Sequence, residues 1–240
     1  MIRALTLIIL LAVGELSFAE TTYVYNVTKD RVVIEENASY VRPIASVTKL
    51  MTAITVIQSG MPLDEKLIVG GIPFFRKSAT REELLTLMLV KSNNKAAEIL
   101  AKNHMGGRDK FISDMNIIAK VLNMRDTNFD DPSGLSPHNV STAKDLSILL
   151  FHACTYDIIK KITSTSVYNI KKSQINNTNK ALLQKFDTIE ISKTGTTSPA
   201  GKCLVMFVKK DGEEYAIVFL GYKNRHVVEV VADKILSSSL

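Results

Sequence analysis

The sequence predicts a mixed α/β fold of the α+β kind, in which a mainly antiparallel sheet carries packed terminal helices and a helical subdomain inserted between its strands. Three observations lead there. Strand-forming runs gather near the two ends of the chain, and neighbouring runs are joined by short polar turns, which pair them antiparallel. The long middle stretch instead repeats apolar residues every three or four positions, as helices do. With 240 residues, 46% of them hydrophobic and 22% charged, one domain buries a sufficient core without metal or disulfide.

Taken in order, Met1 to Ala19 stands apart. Arg3 gives a short positive start, Ala4 to Val13 is apolar apart from Thr6, and Ser17-Phe18-Ala19 offers small residues for cleavage. We read residues 1–19 as a secretory signal cut near Ala19-Glu20, and residues 20–240 as the working domain. The apolar run is shorter than the ~20 residues a membrane span needs, so no stable membrane anchor is expected after cleavage.

Tyr23 to Val27 and Arg31 to Glu35 form a hairpin around Thr28-Lys29-Asp30. A helix follows that carries Ser46 and Lys49 and ends at Ser59-Gly60, with Pro62 beyond. Leu67 to Val69 reads as a short strand, and the chain to Ser78 as irregular. Thr80 and Glu83 make a capping box for a helix through Val90. Ser92-Asn93-Asn94 breaks the pattern, Lys95 to Lys102 resumes it, and Arg108 to Asn123 is amphipathic. Asn128 to Asn139 is loop. Thr142 to Cys154 and Tyr156 to Ile162 are helical, whereas residues 163–180 show no usable period. Thr188 to Lys193, Lys202 to Lys209 and Glu213 to Tyr222 read as strands, the last two turned by Lys210-Asp211-Gly212. Val227 to Leu236 closes the chain as a helix.

The stretch Ser46-Val47-Thr48-Lys49 has the composition of an activated nucleophile. Residues three apart on a helix share a face, so the Lys49 amine reaches the Ser46 hydroxyl. Ile44, Val47, Leu50 and Met51 bury the turn, and burial disfavours the ammonium, leaving an amine able to accept a proton. Ser141-Thr142-Ala143-Lys144 repeats the pattern, but Ser141 or Thr142 stands where a helix N-cap belongs, with Asp145 in the first turn. That copy is structural. Lys193-Thr194-Gly195 follows the strand residues Glu190-Ile191-Ser192; lysine and threonine at a strand edge suit a carboxylate, and glycine admits a close backbone.

Ser-x-x-Lys, Ser-x-Asn and Lys-Thr-Gly, in that order and separated by 46 and 101 residues, resemble the motif set of the serine penicillin-binding proteins and class A β-lactamases. The chain is most similar to the small D-alanyl-D-alanine carboxypeptidases and endopeptidases. Asn128 to Ser136, Asn139, Ser141 to Leu146, Thr196 and Pro199 to Val205 match that family's further segments, so the resemblance spans residues 22 to 222. It implies a β-lactamase/D,D-peptidase-like fold. It also implies that Ser46 is acylated with Lys49 as its base, that Ser92 relays a proton, and that Asn94 orients Lys49 and substrate. Lys193, keeping the site positive, and Thr194 would hold the terminal carboxylate beside Gly195, and the Ser46 and Thr196 N–H groups would form the oxyanion hole. Peptidoglycan peptides are the implied substrates and β-lactams the covalent inhibitors. No Glu-x-x-Leu-Asn occurs between Asn94 and Lys193, which argues against a β-lactamase and leaves Asp130 and Asp131 a loop-structural role. A penicillin-sensing or wall-binding module is the alternative, countered by the full set of reactive residues. The stop at Leu240, soon after the closing helix, looks more like the endopeptidase branch, but carboxypeptidase and endopeptidase reactions share one attack geometry and the residues do not separate them, so both activities stay open.

Other classes are disfavoured. The formal charge of +6 is unchanged by loss of Arg3 and Glu15 with residues 1–19, yet the basic residues are scattered along the sequence without interleaved aromatics, so no nucleic acid is expected. A basic exported protein would instead meet anionic wall polymers favourably. Four histidines have no metal spacing, so neither metal nor cofactor is expected. Cys154 and Cys203 read as small packed residues rather than a disulfide.

Overall fold

The structure, a computed structural model, describes residues 20–238; the expected signal segment 1–19 lies outside them. β1 (Thr21–Asn26) and β2 (Arg31–Glu36) form the opening hairpin. A short β3 (Arg42–Pro43) leads into a 3₁₀ turn, Ala45–Val47, and then α1 (Thr48–Gln58). β4 (Lys66–Ile68) pairs with β5 (Ser78–Thr80). α2 (Arg81–Val90), α3 (Asn94–Lys102) and α4 (Gly107–Val121) follow, then β6 (Val140–Ser141), α5 (Ala143–Cys154) and α6 (Asp157–Ser164). β7 (Val167–Ile170), β8 (Ser173–Asn176) and α7 (Lys180–Lys185) precede the long strands β9 (Ile189–Thr197), β10 (Gly201–Lys210) and β11 (Glu213–Tyr222), and α8 (Arg225–Ser237) ends the described chain.

The main sheet runs β2-β1-β11-β10-β9, every pair antiparallel, with β9 at its edge. The two chain ends therefore meet in one sheet, and the helices between β2 and β9 form the inserted subdomain. The sheet is covered on both faces. On one, Val24, Leu204, Met206, Ile217 and Phe219 pack under Val228, Ala232 and Ile235 of α8. On the other, Val205, Phe207, Ala216 and Val218 join the core shared with the helical block. Each Val, Leu, Ile, Met or Phe among them contributes about 1.5–3 kcal/mol when fully buried.

Three local devices shape the ground on which the site stands. Thr80 accepts from Glu83 N while Glu83 accepts from Thr80 N, so α2 starts with the expected capping box. Every residue from Thr48 to Val56 of α1 is buried. Its apolar residues drive it inside and its threonines bond to backbone carbonyls, Thr52 to Pro132 at 2.6 Å and Thr55 to Met51 at 2.9 Å, so the helix is buried all round and carries Lys49 in with it. Thr142 caps α5 by accepting from Asp145 N, as the second Ser-x-x-Lys copy suggested.

The structure corrects several details. Ser46 sits in a 3₁₀ turn ahead of α1 rather than in the helix itself. β9 does not end at Lys193 but continues through the Lys-Thr-Gly triplet to Thr197, because the backbone ladder to β10 tolerates glycine. Residues 163–180 hold the β7–β8 hairpin, and the strand near residue 67 begins and ends one residue earlier than expected. Both cysteines are free: Cys154 Sγ donates to Glu190 Oε2 at 3.2 Å, and burial pushes the two thiols up to about 12 and about 11.

Candidate active site

The site begins with a forced turn. Ala45 has φ +47°, a left-handed conformation costly for a residue with a Cβ, and it swings Ser46 out of line with α1 so that the hydroxyl is partly exposed. Lys49, one turn on, is fully buried. Its Nζ donates to Asn94 Oδ1 at 2.7 Å and to the Ser133 carbonyl, and lies 2.9 Å from Ser46 Oγ. A neutral amine has two hydrogens and one lone pair. With the hydrogens committed to Asn94 and Ser133, the lone pair is left for the Ser46 hydroxyl proton. Burial lowers Lys49 from its usual 10.5 to about 7, against the opposing pull of Asp131.

The second segment arrives at the junction of two helices. Asn93 caps α3 by accepting from Ala96 N at 2.8 Å, which fixes Asn94 in the first turn facing Lys49. Ser92, at φ +57°, is the second strained residue of the site. Of the Ser-Asn-Asn triplet, then, the middle residue holds the helix while its neighbours face inward.

β9 supplies the third segment. Lys193 is fully buried, and its Nζ donates to Ser92 Oγ at 3.1 Å and to the Thr194 carbonyl at 2.8 Å. Gly195 passes so close to the 3₁₀ turn that a Cβ there would stand 3.0 Å from the Ile44 carbonyl oxygen and 3.1 Å from Ser46 N. Only glycine leaves that backbone undisturbed. Thr194 Oγ1 donates to Thr178 Oγ1 at 2.7 Å, and Thr196 is exposed beyond it. Burial, then Lys49 and Arg225, push Lys193 well below the usual lysine range. Two amines in one buried pocket resist carrying two protons, so a proton on Lys193 favours a neutral Lys49. Past Thr196 a cavity of about 590 Å³ opens, lined also by Lys202, Tyr222 and Lys223.

All eight residues singled out in the sequence converge here. A family model described as D-alanyl-D-alanine carboxypeptidase matches residues 16–224. The chain belongs to the D-alanyl-D-alanine carboxypeptidase family. Among its relatives are D-alanyl-D-alanine endopeptidases of Escherichia coli, 36% identical over 82% of this chain, and of Pseudomonas aeruginosa, 39% identical over 73%. The aligned parts span 69% and 62% of those proteins' own lengths. Among solved structures, penicillin-binding protein D2 of Listeria monocytogenes, determined with ampicillin bound, superposes at TM-score 0.82 with 29% identity over 89% of this chain and 93% of that one. The Streptomyces K15 DD-transpeptidase gives 0.83 at 25% identity over 89% and 94%. As a D-alanyl-D-alanine carboxypeptidase family member the chain is a hydrolase, and the mixed fold expected from the sequence is the fold of these neighbours. Among the described residues no helix is long and apolar enough to cross a membrane.

This family member also uses groups that the sequence did not single out. Burial works to raise the Asp131 carboxyl, but N–H groups of Ser136, Ser133 and Gly134 and the Ser133 hydroxyl, all donating to it, hold it below the ordinary value. That knot presents the Ser133 carbonyl to Lys49. Gly134, at φ +84°, lies against Ala45, where any Cβ would overlap the carbonyl oxygen. Thr178 and Arg225 back Thr194: Arg225 donates to the Thr178 and Cys203 carbonyls at 3.3 and 3.4 Å. Backbone carbonyls and a threonine in an unpatterned stretch carry no sequence signal. Asp131 alone was visible, in the loop role expected of it.

Proposed function

We propose that the chain is an exported serine D,D-peptidase that hydrolyses D-alanyl-D-amino acid bonds of peptidoglycan stem peptides through an acyl-enzyme on Ser46. The observation that carries this reading is the buried Lys49 amine, 2.9 Å from Ser46 Oγ with its other contacts filled. Ser46 Oγ attacks the carbonyl carbon as its proton passes to Lys49. The resulting oxyanion lies between the N–H groups of Ser46 and Thr196, a type of contact worth roughly 100- to 1000-fold in rate. The C–N bond then breaks, and the leaving amine takes the proton by way of Ser92. Water, activated by the regained Lys49 base, releases the peptide acid.

Lys193 and Thr194 receive the carboxylate of the departing residue. That anion supplies the counter-charge which raises the proton affinity of Lys193, so the cation is assembled with the substrate. Since the carboxylate lies at Lys193 and the carbonyl at Ser46, the acyl-side peptide extends past Thr196 into the cavity lined by Lys202 and Lys223. Residues 1–19 would direct export and be lost at Ala19-Glu20, and β-lactams would acylate Ser46 in the same way as substrate.

Fluorescent penicillin should label the wild type and leave Ser46→Ala unlabelled; equal labelling removes Ser46 from its role. Mass spectrometry of digested cross-linked muropeptides decides the reaction. Monomers signify endopeptidase, loss of one alanine from pentapeptides signifies carboxypeptidase, and no turnover overturns the enzymatic reading.

A further inference from the structure

Basic residues that are scattered in the sequence gather at one rim of the cleft. The chain between β4 and β5 loops out through Gly70 to Lys77 and is closed by Val69 N donating to the Lys77 carbonyl at 2.9 Å. One end of this loop meets α3, where a Cβ on Gly71 would stand 3.0 Å from the Nζ of Lys95, the residue after Asn94. The other end meets the tip of the β7–β8 hairpin, where Lys171 Nζ lies 4.7 Å over the Phe75 ring. That contact sets the consecutive pair Lys171 and Lys172 beside the consecutive pair Arg76 and Lys77. All five cations are exposed, and among the described residues none of them has an acidic partner within ion-pair distance. The nearby carboxylates are Glu82 and Glu83 of α2, which share a pocket with Lys171, and Glu98, one turn beyond Lys95 on α3, which pairs with Arg108.

Five like charges on one rim repel one another, and an anionic ligand relieves that repulsion. Phe74, in the same loop, is 39% exposed and held at φ +76°, where a bulky side chain is strained. A loop built so presents a flat apolar face among cations.

We infer that this rim docks the carboxylate-bearing stem peptides of polymeric peptidoglycan outside the reacting bond, with Phe74 against a sugar ring. The inference rests on the D,D-peptidase reading, because the rim joins the site only at the first turn of α3, where Asn94 faces Lys49 and the exposed Lys95 follows it, giving the continuity with the cleft on which the choice of ligand turns. Peptidoglycan is favoured over an anionic membrane by that continuity with the cleft.

The test is sedimentation of the full chain with purified, teichoic-acid-free sacculi at several salt concentrations. The Arg76→Gln/Lys77→Gln/Lys171→Gln/Lys172→Gln variant is carried alongside, and fluorescent-penicillin acylation rate serves as the check on the site. Wild-type binding should weaken about tenfold or more between low and high salt, as expected for exposed charges. The variant should bind at least about tenfold more weakly at low salt, respond little to salt, and acylate within about twofold of wild type. Sacculi with amidated carboxylates should hold the wild type no better than untreated sacculi hold the variant. Equal sedimentation of wild type and variant, or undiminished binding to amidated sacculi, overturns the inference. So does a variant that differs from wild type only on phosphatidylglycerol vesicles, which would make the rim a membrane contact. Failure of the peptidase reading would appear separately, as labelling that survives Ser46→Ala.

Discussion

The chain contains two Ser-x-x-Lys stretches, and the structure treats them in opposite ways. At Ser46 to Lys49 the lysine is fully buried, its amine directed at a partly exposed serine, and its proton affinity is lowered to about 7. At Ser141 to Lys144 the serine is the buried partner. Its hydroxyl shares a hydrogen with Thr127 Oγ1 at 2.7 Å, while the half-exposed Lys144 pairs with Glu35 at 2.7 Å. Spacing brings a lysine within reach of a serine; burial decides whether that lysine is a base or a solvated cation. The first stretch opens a helix buried on all sides, and the second caps a helix whose first turn faces water at Lys144.

The sharpest way to break this contrast is to remove each lysine in turn. Lys49→Met should slow acylation by fluorescent penicillin about 10³- to 10⁴-fold, the upper range of what a positioned base supplies. Lys144→Met should stay within about twofold of wild type, since an exposed ion pair is worth about 0–1 kcal/mol. Comparable losses in both variants would remove the distinction.

Stability against pH separates the two lysines independently of catalysis. Unfolded Lys49 keeps its proton up to about pH 10.5, but the folded residue releases it near pH 7. Between those values the unfolded state binds more protons, so this group makes the protein more stable as pH rises. Relative to Lys49→Met, the wild type should gain about 1.4 kcal/mol per pH unit across that window. Below pH 7 both states are protonated and the full burial penalty applies; above 10.5 it vanishes. Denaturant melts of the wild type and both variants measure it. A flat difference for Lys49→Met would mean that the amine is hydrated. The Lys144→Met difference is expected to be flat.

The turn that aims Ser46 gives a smaller effect. Gly134→Ala places a Cβ on the Ala45 carbonyl at a left-handed position, so the 3₁₀ turn has to shift. We expect a loss of about 1–3 kcal/mol in stability and about 100-fold in acylation, the scale of a 1 Å misplacement. Gly107→Ala, also left-handed but open to space, should lose stability with acylation unchanged. An acylation loss shared by both would trace the effect to backbone strain alone.

What the sequence disclosed follows the range of the interactions involved. α2 was legible because Thr80 and Glu83 satisfy one another within four residues, and the β10–β11 hairpin because Asp211 and Gly212 accept positive φ. The site was legible as three short motifs. Their meeting was legible only through the family resemblance, since Gly195 and Ser46 touch across about 150 positions of sequence. The β7–β8 hairpin stayed hidden because its strands are four residues each and its tip, Lys171 with Lys172, lacks the Asn-Gly chemistry of a turn. For the same reason the basic rim looked scattered: nothing local says that Lys171 lies over Phe75.

The smallest prediction isolates what the second stretch does contribute. Thr142 accepts from Asp145 N at 3.1 Å, so Thr142→Ala leaves one N–H of the first turn of α5 without its partner. The loss should be about 1 kcal/mol, the usual worth of such a cap. Thr142→Ser keeps the acceptor oxygen and should recover most of it. Neither change reaches Ser46, so both variants should take up fluorescent penicillin at the wild-type rate. A slowed acylation in Thr142→Ala that Thr142→Ser restores would show that the second stretch is coupled to the first through the cap of α5, and that one sequence pattern serves a single site twice.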